Sequence, residues 1–332
     1  MNLGVIAPSV FPVNLSTLDY GGAERAFAYF CRGIAHHAQV TLFAPKGSAV
    51  EGCKVVETID PPRKWMKDAE RLAFEVYQPH LPEFDLVSDW SHEYIPYLRR
   101  EIPLCHQLCG LQTSVVGIIN NPRLVALSEF HRAHTKQSFG LDSRIVPHCI
   151  DFTDYPTGPG GGPPLCFGLQ APHKGHLQAG KALGAANIDF RIAGEDKFVP
   201  DITFPGKLRA EFGDKVSGAL KESDKRAALG AAPCVILNSL LPEAFSMAAL
   251  EANACGTPVL MRRLGCAPEI IQEDVTGHTF ENESELPALV KKAEQLDRKE
   301  VRLAAMERYD IKPVCAQYMK EILEPAVGGA WW

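Results

Sequence analysis

Residues 233–269 read PCVILNSLLPEAFSMAALEANACGTPVLMRRLGCAPE, and this stretch decides the predicted fold. The aliphatic run 234–237 is short enough to be a buried strand. A helical pattern follows, in which small and apolar residues recur three and four positions apart and therefore share one face. Gly256, with a proline two residues later, ends the helix, and residues 258–261 return as a strand. The stretch predicts a strand–loop–helix–strand unit.

Two carboxylates give this unit a possible chemistry. Glu243 lies in the loop, and Glu251 lies about two turns along the helix. Both could face one pocket beyond the carboxyl end of the strand, where open α/β sheets bind ligands. The first helical amides, near Phe245, Ser246 and Met247, have no partner within the helix and favour an anion such as a diphosphate. The spacing alone is equally compatible with an ordinary βαβ unit that carries two solvated glutamates.

The residues that follow Glu251 resemble a known family. Glu243 and Glu251, with EANACGTPV at residues 251–259, look like the E-x7-E and EAxACGTPV signature of family 4 retaining glycosyltransferases. Gly265, Pro268 and Glu269, followed by a Thr-Gly pair, look like the continuation of that signature. The resemblance implies an α/β fold of GT-B architecture, in which two Rossmann-like, doubly wound domains face each other across a cleft.

Length and composition limit the number of domains and the kinds of partner. The 332 residues suffice for two domains with cores of their own. A net charge of −6 without a basic segment does not indicate a nucleic-acid partner, and no apolar run of membrane-spanning length is present. The ten cysteines are scattered without CxxC pairs, so we expect neither a metal site nor a disulfide framework. The N-terminus does not resemble a signal peptide. We expect a cytoplasmic protein.

A glycine- and proline-rich segment, residues 152–164, is the clearest linker in the chain, with four glycines and four prolines. It predicts a domain boundary. The resemblance implies an N-terminal Rossmann-like domain over residues 1–155, on the acceptor side, and a C-terminal Rossmann-like domain over residues 163–311 that binds the nucleotide sugar. If the GT-B topology holds, a last helix over residues 312–325 returns to the first domain.

Near the N-terminus, Gly21 and Gly22 lie between a predicted strand and a helix. Adjacent glycines are often no more than a tight turn. The family has a similar YGG-E segment at this point, and the resemblance implies that the two glycines lie over the donor diphosphate.

Lys174 is a further candidate site residue. Residues 167–175, FGLQAPHKG, resemble the "vGRl.p.KG" turn of the family. There, an arginine and a lysine hold the diphosphate and neutralise the charge that develops on the leaving group, which is an effective use of a fixed cation. In this chain the arginine position is Leu169. A lone lysine is otherwise an ordinary surface charge.

A second departure from the family lies in the first domain. The family's "tlHG" turn supplies a histidine beside the reacting sugar, and Cys109 stands at that position here. His106 or His92, both at predicted strand ends, could substitute, although such histidines are commonly structural. No base that would activate Cys109 as a nucleophile can be identified beside it.

The resemblance thus implies transfer of a sugar from a nucleotide-diphosphate sugar to an acceptor hydroxyl, with retention of anomeric configuration. The acceptor would be a carbohydrate, a lipid-linked compound or a small molecule, and no metal or cofactor is expected. The expected catalytic residues are Glu243, Lys174, His106 and His92. The expected donor-binding residues are Gly21, Gly22, Gly194, Val216, Ser217, Gly218, Ala244, Phe245, Ser246, Met247 and Glu251.

Two alternatives remain open. Leu169 and Cys109 suggest a GT-B nucleotide-sugar-binding or scaffold protein with a degenerate catalytic site. The third hypothesis is another GT-B reaction, such as that of a sugar-nucleotide epimerase or a glycan phosphorylase. The E-x7-E unit argues against the epimerase, and no cofactor-lysine motif supports the phosphorylase.

Overall fold

The computed structural model describes residues 1–18, 21–62, 68–92, 104–111 and 123–328. The chain divides into two compact units. Met1–Ile150 together with Ile311–Trp332 form the first, and Asp151–Asp310 form the second. Among the described residues, no helix is both long and apolar enough to cross a membrane.

Each unit is built on its own parallel sheet. The strands are β1 (Asn2–Ile6), β2 (Gln39–Ala44), β3 (Cys53–Glu57), β4 (Leu86–Asp89), β5 (Leu104–Gln107), β6 (Leu124–Ala126), β7 (Ser143–Ile145), β8 (Leu165–Phe167), β9 (Arg191–Ala193), β10 (Val235–Leu237), β11 (Val259–Arg262) and β12 (Gly277–Phe280). The first sheet has the order β3-β2-β1-β4-β5-β6-β7, and the second has the order β12-β11-β10-β8-β9. In both sheets the order reverses at an internal strand, as in doubly wound folds.

Helices connect the strands, because a parallel pair requires a crossover connection. They are α1 (Gly22–Ile34), α2 (Ala69–Tyr77), α3 (Glu129–Phe139), α4 (His176–Ala185), α5 (Phe204–Phe212), α6 (Glu222–Ala231), α7 (Met247–Ala254), α8 (Ala267–Ile270), α9 (Leu286–Ala293), α10 (Arg298–Tyr309), α11 (Ile311–Tyr318) and α12 (Glu324–Val327). The strand–loop–helix–strand unit predicted from residues 233–269 is present as β10, α7 and β11.

Within the first unit, α11 packs against α1. Gly33 permits this approach, because a Cβ atom there would lie only 2.5 Å from Sγ of Cys315. Tyr318 extends the contact to the sheet, where its hydroxyl lies 2.8 Å from Oγ of Ser88. The segment that begins at Ile311 is therefore integrated into the core of the first unit.

The second unit has an apolar core on one face of its sheet. Cys166, Ile236 and Leu260, from three neighbouring strands, pack there with Leu183 of α4 and Val290 of α9. The three strand residues alternate with residues of the other face, as the pleat of a strand requires. The carboxyl edge of the sheet lies outside this core and is formed by loops.

Candidate functional site

The carboxyl edge of the second sheet carries the charged residues that were predicted for this unit. Lys174 lies in a short 3-10 turn after β8, and Glu243 lies in the loop after β10. Because β8 and β10 are neighbours in the sheet, the two side chains meet, and the Lys174 ammonium forms an ion pair with Glu243 Oε1. Their side chains are 28% and 20% exposed. The structure thus unites two predicted catalytic residues that are 69 positions apart in the chain.

A glycine allows the Lys174 turn to approach β10. Gly175 has a φ of +65°, and a Cβ atom there would overlap the backbone oxygen of Asn238. The side chain of Asn238 in turn donates to the Gly175 oxygen at 2.9 Å. The lysine turn is therefore clamped to the strand end from which the Glu243 loop departs.

The Glu243 loop is held by a second glycine. Gly265 has a φ of +59°, and a Cβ atom there would lie 2.5 Å from the Glu243 oxygen and 2.6 Å from its nitrogen. The Cys266 amide also donates to the Glu243 oxygen at 3.0 Å. Gly265 and Cys266, in the part of the sequence signature that follows β11, therefore position the backbone of Glu243.

Helix α7 begins at Met247, three residues after the apolar pattern starts. Ser246 is the reason, because its extended backbone and its Oγ, which accepts from the Ala249 amide at 3.4 Å, make it the N-cap. Ala244 is buried, and the Phe245 ring packs edge-on against Tyr309 at 5.7 Å. The positive end of α7 lies directly after the Glu243 loop. Anion binding by these amides stays a prediction.

Glu251 lies in a buried ion pair. Its Oε1 accepts from Lys225 Nζ at 2.8 Å and from the Tyr155 hydroxyl at 3.2 Å. Lys225 also lies 2.7 Å from Glu222 Oε1. The sequence analysis missed Lys225 and Tyr155. The one available signal was that Lys225 lies four residues before the core residue Leu229, on the buried face of α6.

Four of the predicted donor-binding residues, Gly194 and residues 216–218, come together around one side chain that the sequence analysis missed. Gln170 Nε2 donates to the Gly194 oxygen at 3.2 Å and to the Ser217 oxygen at 2.6 Å. The Ser217 amide donates to the Ile192 oxygen at 2.9 Å, and the Gly194 amide to the Gly218 oxygen at 3.3 Å. With Val216 buried beside them, these residues form one connected group at the ends of β8 and β9.

A buried histidine holds the backbone at Leu169. His176 Nε2 donates to the Leu169 oxygen at 3.1 Å. Burial lowers the pKa of His176 to about 4, so the ring is neutral at pH 7. Leu169 itself is half-buried and places an aliphatic side chain where the family has a cation.

In the first unit, Gly21 precedes α1 with a φ of +125°, and a Cβ atom there would overlap the Glu24 carboxylate. Gly22 is exposed, whereas Glu24 is buried. Burial raises the pKa of the Glu24 carboxyl to about 7. The glycine turn therefore accommodates a carboxyl group that is close to neutral at pH 7.

The two predicted histidines lie at strand ends, as expected. His106 Nδ1 lies 2.8 Å from Asp89 Oδ2, and both side chains are almost completely buried. The backbone amide of His92 donates to Glu70 Oε1 at 2.7 Å. Burial, and then the neighbouring His106, lower the pKa of His92. The pairing of His106 with Asp89 agrees with the structural alternative for that histidine, and a catalytic role for either stays a prediction.

Cys109 is partly buried. Burial raises the pKa of its thiol well above the usual range, and nearby carboxylates, with Asp89 first, act in the same direction. The thiol is therefore protonated at neutral pH and is a poor nucleophile.

Solved structures share the fold of two parallel α/β units. AviGT4, a glycosyltransferase involved in avilamycin A biosynthesis, is 20% identical with a TM-score of 0.77, over 100% of this chain and 99% of that one. Sucrose-phosphate synthase from Thermosynechococcus elongatus is 15% identical with a TM-score of 0.78, over 99% of both chains. HepE of Anabaena, solved with UDP and glucose, is 17% identical with a TM-score of 0.72, over 98% and 100%. The predicted GT-B fold class is confirmed.

A segment of the second unit matches a known family model. Residues 168–312 match the family model described as "Glycosyl transferases group 1". No curated protein matches the chain. The match covers less than half of the chain and agrees with the prediction of a glycosyltransferase. Membership of family 4, retention of configuration and the roles of single residues stay predictions.

Proposed function

We propose that this protein transfers a sugar from a nucleoside diphosphate sugar to an acceptor hydroxyl, with retention of anomeric configuration and without a metal ion. The observation that carries the proposal is the ion pair of Lys174 and Glu243 at the carboxyl edge of the second sheet. It combines a cation for the leaving group with a carboxylate for the sugar.

Lys174 is proposed to stabilise the leaving group. When the bond between the sugar and the diphosphate breaks, negative charge collects on the β-phosphate, and a fixed cation there lowers the barrier. The positive end of α7 adds to this field, because it begins just after the Glu243 loop. Without a donor, the Glu243 carboxylate neutralises the ammonium. With a donor bound, the diphosphate takes that place.

Glu243 is then available to accept a hydrogen bond from a hydroxyl of the donor sugar. Gly265 and the Cys266 amide hold its backbone, so the carboxylate starts from a defined position. Such positioning favours one orientation of the sugar. We assign sugar contact to Glu243 and diphosphate contact to Lys174.

The nucleoside is proposed to bind at the neighbouring strand ends. Glu251, held by Lys225 and Tyr155, is assigned to the ribose hydroxyls, and the group of Gly194 and residues 216–218 is assigned to the base. HepE, which shares the fold, has been solved with UDP-glucose. UDP-sugars are therefore the first donors to test.

The acceptor is proposed to be a carbohydrate, a lipid-linked compound or a small molecule, and the reaction is placed in the cytoplasm because of the cysteine pattern. Roles for Gly21, Gly22, His92 and His106 of the first unit belong to the same proposal. These residues are assigned from the family resemblance.

The test uses a panel of UDP-sugars and acceptors, with EDTA present. Proton NMR reports the anomeric coupling constant of the product against that of the donor. The proposal expects product with the anomeric configuration of the donor and an unchanged rate in EDTA. An inverted product, or activity that EDTA abolishes, would refute the mechanism.

The second candidate function is donor binding without transfer. The aliphatic side chain of Leu169 and the protonated thiol of Cys109, at positions where the family has an arginine and a histidine, favour it. The two candidates differ in one readout. A scaffold binds UDP-sugars but forms no product with any acceptor.

A further inference from the structure

One completely buried side chain joins three loops of the proposed nucleotide site. The backbone amide of Gln170 donates to the Glu195 oxygen at 2.8 Å. Its side-chain nitrogen donates to the oxygens of Gly194 and Ser217. Gln170 follows β8, Gly194 and Glu195 follow β9, and Ser217 lies in the next loop. Through its backbone and side-chain amides, Gln170 therefore links the three loops.

The orientation of this amide is determined by its partners. Both groups that it contacts are carbonyl oxygens, which only accept hydrogen bonds, so the amide nitrogen must face them. The oxygen, Oε1, is then directed away, and it is buried without a hydrogen-bond partner among the residues that the structure describes. Buried acceptors of this kind are uncommon and destabilising. An apolar side chain of the same length would remove this oxygen but would leave the oxygens of Gly194 and Ser217 without their donor.

The two hydrogen bonds offset the cost of the unsatisfied oxygen, and the place of Gln170 in the fold indicates what these bonds hold together. Gln170 belongs to the turn that leads to Lys174, the proposed diphosphate ligand. Its two acceptors belong to Gly194 and to residues 216–218, the proposed base-binding group. One side chain thus links the phosphate part of the site directly to the base part.

We propose that Gln170 is a positioning residue, which holds the base-binding loop 216–218 at the correct distance from the Lys174 turn. The inference rests on the proposed function, because it assumes a nucleoside diphosphate at this edge. Gln170 is expected to act on binding and not on chemistry. A contact to the base is the same in the ground state and the transition state, so its loss raises KM and leaves kcat unchanged.

The test compares two variants that remove the same kind of bond. Gln170→Met keeps the length of the side chain but removes the amide. Asn253→Leu is the matched control, because buried Asn253 also donates from one nitrogen to two backbone oxygens, those of Thr257 and Thr276, both at 3.0 Å. Those oxygens precede β11 and β12, at the opposite edge of the same sheet.

Titration of wild type and variants with UDP and with pyrophosphate gives the readout, together with Tm and steady-state kinetics. For Gln170→Met we expect the Kd of UDP and the KM of the donor to rise about tenfold, as for the loss of one or two hydrogen bonds. The affinity for pyrophosphate and kcat should stay unchanged. The Tm should fall by about 5 °C or more, because the Gly194 and Ser217 oxygens lose their donor. Asn253→Leu should lower the Tm by about 5 °C or more without changing the Kd of UDP.

The outcomes separate this inference from the proposed function. If the wild type binds neither UDP nor another nucleoside diphosphate, both are overturned. If the wild type binds UDP and Gln170→Met binds it equally well, only the positioning role is overturned. If Gln170→Met lowers the Tm but leaves the UDP affinity unchanged, Gln170 is merely structural and the positioning role is overturned. Should the Met variant fail to fold, Gln170→Glu serves instead, since it keeps the shape of the side chain and can donate to one carbonyl at most. Unchanged UDP affinity in that variant overturns the positioning role as well.

Discussion

Replacing Lys174 by methionine should separate catalysis from stability. The substitution keeps most of the aliphatic stem but removes the ammonium that pairs with Glu243. Both side chains keep contact with solvent, at 28% and 20% exposure, so water screens their interaction. A pair of this kind contributes about 0–1 kcal/mol to folding. The Tm of Lys174→Met should therefore fall by no more than about 4 °C.

The effect on turnover should be much larger. If Lys174 faces the leaving group, its charge acts where negative charge develops. Removal of one such stabilising group typically lowers kcat by about 10²–10³-fold, equivalent to about 2.7–4 kcal/mol of transition-state stabilisation. The loss should appear in kcat with a saturating UDP-sugar. Weaker donor binding should add to the loss in kcat/KM.

The matched control is Lys181→Met. Lys181 lies in α4 of the same unit, is 57% exposed and pairs with Glu211 at 3.5 Å. Its loss should change neither kcat nor KM. A Lys174→Met enzyme whose kcat lies within about threefold of the wild type would refute the assignment, since that corresponds to less than about 1 kcal/mol. A large loss in Lys181→Met as well would point to general charge effects.

Three further predictions concern single residues. Glu243→Ala should abolish transfer while the circular dichroism spectrum stays native, and full turnover in this variant would remove Glu243 from the site. Leu169→Arg should lower the Kd of UDP several-fold, as one added charge-assisted hydrogen bond would, and an unchanged Kd in calorimetry would show that Leu169 does not lie at the phosphates. Glu24→Gln should alter the pH dependence of stability. Because burial raises the pKa of Glu24 from 4.5 to about 7, the folded state holds this proton more tightly than the unfolded state. Its contribution is complete below pH 4.5 and is lost as pH rises to about 7, by about 3 kcal/mol. Urea unfolding of wild type and variant at pH 5 and pH 8 isolates this loss, because the buried histidines, whose lowered pKa acts in the opposite direction, are the same in both proteins. The difference in unfolding free energy between wild type and variant should change by about 3 kcal/mol between the two pH values, and an unchanged difference would contradict the role of Glu24.

Much of the second unit could be predicted, because its signals are local. The apolar run of β10, the helical spacing of α7 and the stop at Gly256 each depend on neighbouring residues. The carboxyl ends of parallel strands meet at one edge, so Glu243 and Lys174 could be expected near each other before strand order was known. The start of α7 at Met247, with Ser246 as its N-cap, lies within the stretch predicted for the first helical amides, residues 245–247.

The partners of the site residues could not be predicted in this way. Glu251 pairs with Lys225, 26 positions earlier, and with Tyr155, 96 positions earlier. Gln170 reaches Ser217 across 47 positions. No spacing rule connects such pairs, because each depends on which helix covers which strand. The pairing of His106 with Asp89 likewise required β4 and β5 to be neighbours.

The sequence by itself determined the alternation of strands and helices, the GT-B class and the two charged residues that meet at the carboxyl edge of the second sheet. The tertiary structure alone decided which residues hold the site in place: Gly265 lies against Glu243, Lys225 pairs with Glu251, and Gln170 bonds to Ser217. The reason is physical. Backbone geometry imposes its period within a few residues, so local patterns are legible in a sequence, whereas hydrogen bonds and ion pairs between distant residues exist only after the strand order has brought them within about 3 Å.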